Sequence, residues 1–118
     1  MSSAFVAKKK EMAEKDVEEV IERLEEYHRE RNWNKLFNEN VIDINLITSY
    51  NKKEILGFSL LIAVDGGPIV EFLCHRGTGE IIYSRADFEV RREVPHEFCR
   101  EVIDYLRERF LTRPTTTK

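Results

Sequence analysis

Two glycine-bearing turns, Asp65-Gly66-Gly67-Pro68 and Arg76-Gly77-Thr78-Gly79, bracket the segment Ile69 to His75 and constrain this chain more than any other feature. Glycine reaches the positive φ values that tight hairpins need, so each turn lays its flanking segments side by side in opposite directions. Those segments are apolar and rich in β-branched and aromatic residues, with alternation of the kind a half-buried strand shows. The middle of the chain therefore reads as an antiparallel meander. Strands are expected over Val41 to Thr48, Ile55 to Val64, Ile69 to His75, Glu80 to Ser84 and Phe88 to Val94. In the first, Ile42, Ile44 and Leu46 share a face and Asp43 and Asn45 point away. Tyr50-Asn51-Lys52-Lys53 is a polar turn. The last strand, F-E-V-R-R-E-V, is charged enough to resist pairing with other chains and suits a sheet edge.

The period changes on both sides of the meander. From about Lys8 to Arg31, Ala13, Val17, Val20, Leu24 and Tyr27 recur at helical spacing, widened by Ile21 and His28. That is one apolar face of a long helix. Lys8, Lys9 and Lys10 stand near its start, the end at which the helix dipole disfavours cations. The helix is therefore expected to begin a few residues later or to fray there. Asn32 stops it or caps a short helical turn carrying Trp33, Leu36 and Phe37. At the other end, Pro95 suits a first helical position. Phe98, Val102, Leu106 and Phe110 then form a second stripe, broadened by Cys99, Ile103 and Tyr105. The fold class is α+β: a long N-terminal helix, a four- to five-stranded antiparallel meander and a C-terminal helix packed on the sheet. A length of 118 residues fits one domain over 1–118, with 1–7 and 112–118 as flexible ends.

The strand faces are incompletely segregated. Val70, Phe72 and Cys74 oppose Ile69, Glu71, Leu73 and His75, while Ile81 and Tyr83 oppose Ile82. Leu56, Phe58, Leu60 and Ile62 oppose Gly57, Ser59, Leu61 and Ala63. The second face thus keeps Leu61, Ile69, Leu73 and Ile82. Either the helices cover both faces, or the sheet curls around one helix, or one face meets a partner. Val17 and Leu24 on the first helix pose the same choice between core packing and a dimer seam.

Several constellations bear on chemistry. Cys74, His75, His96 and Cys99 are ligand types that zinc accepts, and His96-x-x-Cys99 places two of them on one helical face. Adjacent strand residues point to opposite faces, so Cys74 and His75 do not both reach one ion on a regular strand. Glu25-x-x-His28 matches half of a carboxylate-bridged di-iron motif but lacks its second half. Gly77-Thr78-Gly79 lies in a hairpin rather than between a strand and a helix, so it is no phosphate loop. No metal and no cofactor is expected. The two cysteines are expected to be free thiols, and a Cys74–Cys99 disulfide has no independent support in the sequence.

Charge bears on nucleic acid. The 19 basic and 22 acidic side chains leave a net charge of −3, so no global attraction to a polyanion arises. A local patch remains: Lys52, Lys53, Arg76, Arg85, Arg91 and Arg92, interleaved with Tyr50, Tyr83 and Phe88. Cations with aromatic platforms hold single strands by phosphate contact and stacking. In element order alone, the meander closed by a C-terminal helix resembles the Whirly-type single-strand binders. Acidic residues on the same strands favour a solvated, salt-bridged edge instead.

No apolar run is long enough to span a bilayer, and the start carries no signal-peptide core. The expected function is that of a small, non-enzymatic, intracellular interaction module, cytoplasmic and homodimeric, binding a macromolecular partner, either itself or another protein. The alternative is single-stranded nucleic-acid binding through the arginine-bearing sheet. A zinc- or thiol-dependent enzyme is more distant.

Overall fold

A computed structural model describes residues 2–51, 53–64 and 67–110 of the chain. Eight elements follow one another: α1 (Ser2–Glu30), α2 (Trp33–Glu39), β1 (Val41–Thr48), β2 (Ile55–Ala63), β3 (Ile69–His75), β4 (Thr78–Ser84), β5 (Glu89–Val94) and α3 (His96–Phe110). The strands form a single antiparallel sheet in the order β1-β2-β3-β4-β5, each paired with its neighbour in sequence.

Local chemistry sets the boundaries. α1 starts at Ser2, so the three lysines lie beyond its first turn instead of preceding a later start. It ends where Arg31 turns left-handed, at φ 53°. The Asn32 N–H then donates to the Tyr27 carbonyl at 2.9 Å and the Arg31 N–H to His28 at 3.2 Å. This is the paired pattern by which a left-handed residue satisfies the last helical carbonyls. Asn32 stands at the cap position of α2, but its side chain makes no capping bond. Arg76 and Gly77 both have positive φ, 58° and 80°, and join His75 to Thr78 by the two-residue turn that matches strand twist. Of the other glycine turn, Asp65 and Gly66 lie outside the described residues; Gly67 closes it by donating to the Val64 carbonyl at 2.8 Å.

All the helices of the described residues pack on one side of the sheet. α1 crosses β4 and β5, α3 crosses β2 and β4, and α2 closes the β1 end. One core unites Ala13, Val17, Val20, Leu24 and Tyr27 of α1 with Phe58, Leu60 and Ile62 of β2, Val70, Phe72 and Cys74 of β3, and Phe98, Val102 and Leu106 of α3. Each large apolar side chain so buried contributes on the order of 1.5–3 kcal/mol. Between the layers, Tyr27 donates to Asn40 Oδ1 at 2.6 Å and Asn40 Nδ2 donates to the Ala63 carbonyl at 3.1 Å. Burial raises the Tyr27 phenol above its ordinary range.

The expected alternation on β1 breaks at Ile42. A register shift between Val41 and Asp43 removes Ile42 from the face it was expected to share with Ile44 and Leu46, and leaves it exposed. Such an extra residue is a β-bulge, common at sheet edges.

Candidate interaction surface

Directly opposed residues of an antiparallel pair share a face, so the strand register lays out the side of the sheet that no described helix covers. One row across it runs Asp43, Leu61, Glu71, Ile82, Arg91; the next runs Asn45, Ser59, Leu73, Glu80, Glu93. Glu71 sits at the centre. Leu61 and Ile82 flank it across the strands, and Ile69 and Leu73 flank it along β3. Ser59 donates to Glu71 Oε2 at 2.7 Å, which fixes the carboxylate within this apolar ring. Ile69 is 55% exposed, whereas Ile82 is only 6% exposed yet stands outside the core cluster.

The charge of this face is acidic. Asp43, Glu71, Glu80 and Glu93 belong to it, together with Glu89 at the end of β5. Arg91 is bonded to Glu89 and, at 2.6 Å, to Glu80. The Glu89 carboxylate, and then Glu80, hold the guanidinium even further above neutrality than usual. His75 lies at the exposed end of β3, opposite Gly57 and Thr78.

The structure separates the sequence-derived nucleic-acid set. Arg92 opposes Ile81, hence faces the helices, where it pairs with Glu18 at 3.5 Å and Glu14 at 3.8 Å on α1. Tyr83 is nearly buried and stacks on Phe88 with centroids 6.1 Å apart, and Arg85 donates to the Tyr83 hydroxyl at 3.2 Å. Arg76 and Lys53 are exposed in two separate turns. Lys52 lies outside the described residues. Among the described residues Arg91 and Arg92 lie on opposite faces of β5, and the stacking of Tyr83 on Phe88 occupies one face of each ring.

The interface set divides cleanly. Leu61, Ile69, Leu73 and Ile82 all fall on the uncovered face. Val17 and Leu24 are fully buried in the chain's own core, so they offer no surface to a dimer.

Of the metal set, Cys74 and Cys99 are buried side by side while His75 lies on the opposite face of the sheet and His96 at the exposed start of α3. Among the described residues no group of three or more His, Cys, Asp or Glu is placed to hold a metal. The hydrogen bond to Cys74, together with burial, pushes the Cys99 thiol far above the ordinary range. Such a thiol is protonated and a poor nucleophile at neutral pH.

Two polar groupings escaped the sequence reading. Glu101 of α3 accepts from His28 Nδ1 at 2.9 Å and from Trp33 Nε1 at 2.8 Å, joining three helices. His28 therefore answers a carboxylate far along the chain rather than Glu25. The ring around Glu71 was half visible, since period two places Ile69, Glu71 and Leu73 together. What was missing was the register that adds Leu61 and Ile82. No described helix is long and apolar enough to cross a membrane. Compared with protein-family models, curated proteins and solved structures, the chain matches none.

Proposed function

We propose that this chain is a non-enzymatic protein-interaction module that self-associates through the uncovered face of its sheet. The observation that carries this reading is the one-sided stacking of the helices. It leaves Leu61, Ile69 and Leu73 accessible around Glu71, with Ile82 nearly buried beside them and no described element over this face. Apolar side chains ringing a fixed polar group resemble the centre of a protein interface, where an anchor is desolvated by its neighbours. A second copy is the simplest partner, because it is present at the protein's own concentration. The acidity of the face disfavours a polyanion there.

Sedimentation velocity from about 1 μM to several hundred μM tests this. A concentration-dependent dimer is expected. Leu73→Glu, with its circular dichroism unchanged, is expected to weaken it by at least about 30-fold, the loss typical of a central contact. A chain that stays monomeric over the whole range, or a dimer indifferent to Leu73→Glu and Leu61→Glu, would overturn the reading.

A further inference from the structure

The first part of α1 has no core to pack on. From Phe5 to Met12 no side chain is buried, and Ala13 is the first that is. Phe5 is 64% and Met12 61% exposed. Phe5, Lys8 and Met12 share one helical face by their spacing; Lys9 flanks it, and Lys10, on the far side of the helix, adds only to the net charge of the segment. Lys9 lies over the Phe5 ring, 4.7 Å from its centroid, and reaches Asp87 at 3.6 Å, the point where the helix leaves the sheet at the β4–β5 turn. The segment from Ser2 to Met12 is thus a cationic, apolar helical arm about 16 Å long. The molecule measures 63 Å along its long axis against 31 and 22 Å in the other directions. Phe5 and Met12 stay largely exposed although the helix runs without interruption into the turns that pack on the core.

The uncovered sheet face has the complementary character. It is acidic through Asp43, Glu71, Glu80 and Glu93, and apolar through Leu61, Ile69 and Leu73, while Arg91 is engaged by Glu80 and Glu89. Five strands spaced by about 4.8 Å make that face roughly 20 Å wide, a fair match for the arm. The arm cannot reach the uncovered face of its own chain, because α1 packs on the other side of the sheet.

We infer that the arm of one copy, Phe5 to Met12, docks on the uncovered sheet face of a second copy, with Phe5 and Met12 against the apolar ring and the Lys8 ammonium group toward Glu71 and Glu93. Two copies that exchange arms satisfy both arms and both faces in a closed pair. This rests on the reading of the face as an interface and adds which part of the partner covers it.

Charge exchange tests it on the full chain. Lys8→Glu with Lys10→Glu reverses the net charge of the arm and leaves the Lys9–Asp87 pair in place; both side chains are exposed, so folding is preserved. Glu71→Lys with Glu93→Lys reverses the face. Each double variant alone is expected to lose at least about tenfold in self-association, since like charges now meet. An equimolar mixture of the two is expected to restore a pair, because both arm–face contacts in it join opposite charges. Self-association of the arm variant at wild-type strength overturns the inference, as does a mixture of two folded variants that stays monomeric. If Leu73→Glu still breaks the dimer in those cases, the face stands as an interface and only the arm is excluded. If the wild-type chain never self-associates, both readings fall.

Discussion

Glu101 Oε1 receives both the His28 Nδ1 hydrogen at 2.9 Å and the Trp33 indole hydrogen at 2.8 Å, so one carboxylate oxygen ties α1, α2 and α3 together at the end of the core. Burial acts to raise its pKa, but the bonds from His28 and Trp33 outweigh that, and the carboxyl sits below its ordinary range. A depressed carboxyl stabilises the fold fully above its unfolded value of about 4.3, and the contribution is lost as pH falls through the lower folded value. Stability is therefore expected to decline on acidification below that range, and Glu101→Gln to flatten this part of the profile. At neutral pH Glu101→Ala is expected to cost about 1–2 kcal/mol, the low end for charge-assisted bonds, because 27% of the side chain is exposed. Urea unfolding of the variants across pH 3 to 7, roughly, measures both. An unchanged midpoint would reduce the cluster to a surface contact.

Gly79 supplies the space in which the Cys99 sulfur lies. A Cβ at that position would stand 2.6 Å from Cys99 Sγ and 2.9 Å from Val94 Cγ2, well inside contact distance. Gly79→Ala is therefore expected to destabilise by about 1–3 kcal/mol, as overpacking does. Cys99→Ala in the same chain removes the sulfur and is expected to recover part of that loss, so the two changes are non-additive. Thermal unfolding of the single and double variants gives the coupling. Strict additivity would locate the strain elsewhere.

The engaged arginines make a prediction about nucleic acid. Arg91 is held by Glu80 and Glu89, and Arg92 by Glu14 and Glu18, so phosphate contact through either first breaks existing pairs. Labelled single-stranded DNA and RNA are expected to bind no tighter than about 100 μM even at low salt, the weak end of non-specific association. Micromolar binding that falls steeply with added salt would restore the arginine-bearing strands as a nucleic-acid site.

Most of the architecture was legible because it is local. The buried side of α1 is the stripe Ala13, Val17, Val20, Leu24 and Tyr27 that the helical period picks out. Period two likewise separates Phe72 from Leu73 and Ile81 from Ile82. Boundaries moved where hydrogen bonding, not hydrophobicity, decides them: β4 begins at Thr78 because the two-residue turn pairs Thr78 with His75. What composition could not show was which side of the sheet each helix takes. Three helices on one face leave Leu61 and Leu73 uncovered, whereas a helix on each face would have buried them. Nor does spacing reveal partners brought together by tertiary packing, such as His28 with Glu101 or Arg92 with Glu18. Adjacency on a strand already places Arg91 and Arg92 on opposite sides of β5, as the register shows; it does not say which of the two sides the helices take.

The strand order has a kinetic consequence. Every strand pairs with its sequence neighbour, so four successive hairpin pairings assemble the sheet without a long loop having to close. Closing loops this short loses little chain entropy and favours rapid zippering. The contacts of α1 with β4 and β5 are different, because they join residues at opposite ends of the chain. The entropically demanding step of folding is therefore expected to be the docking of the first helix, and until it docks, Ile81 and Val90 leave an open apolar edge on a sheet that has already paired.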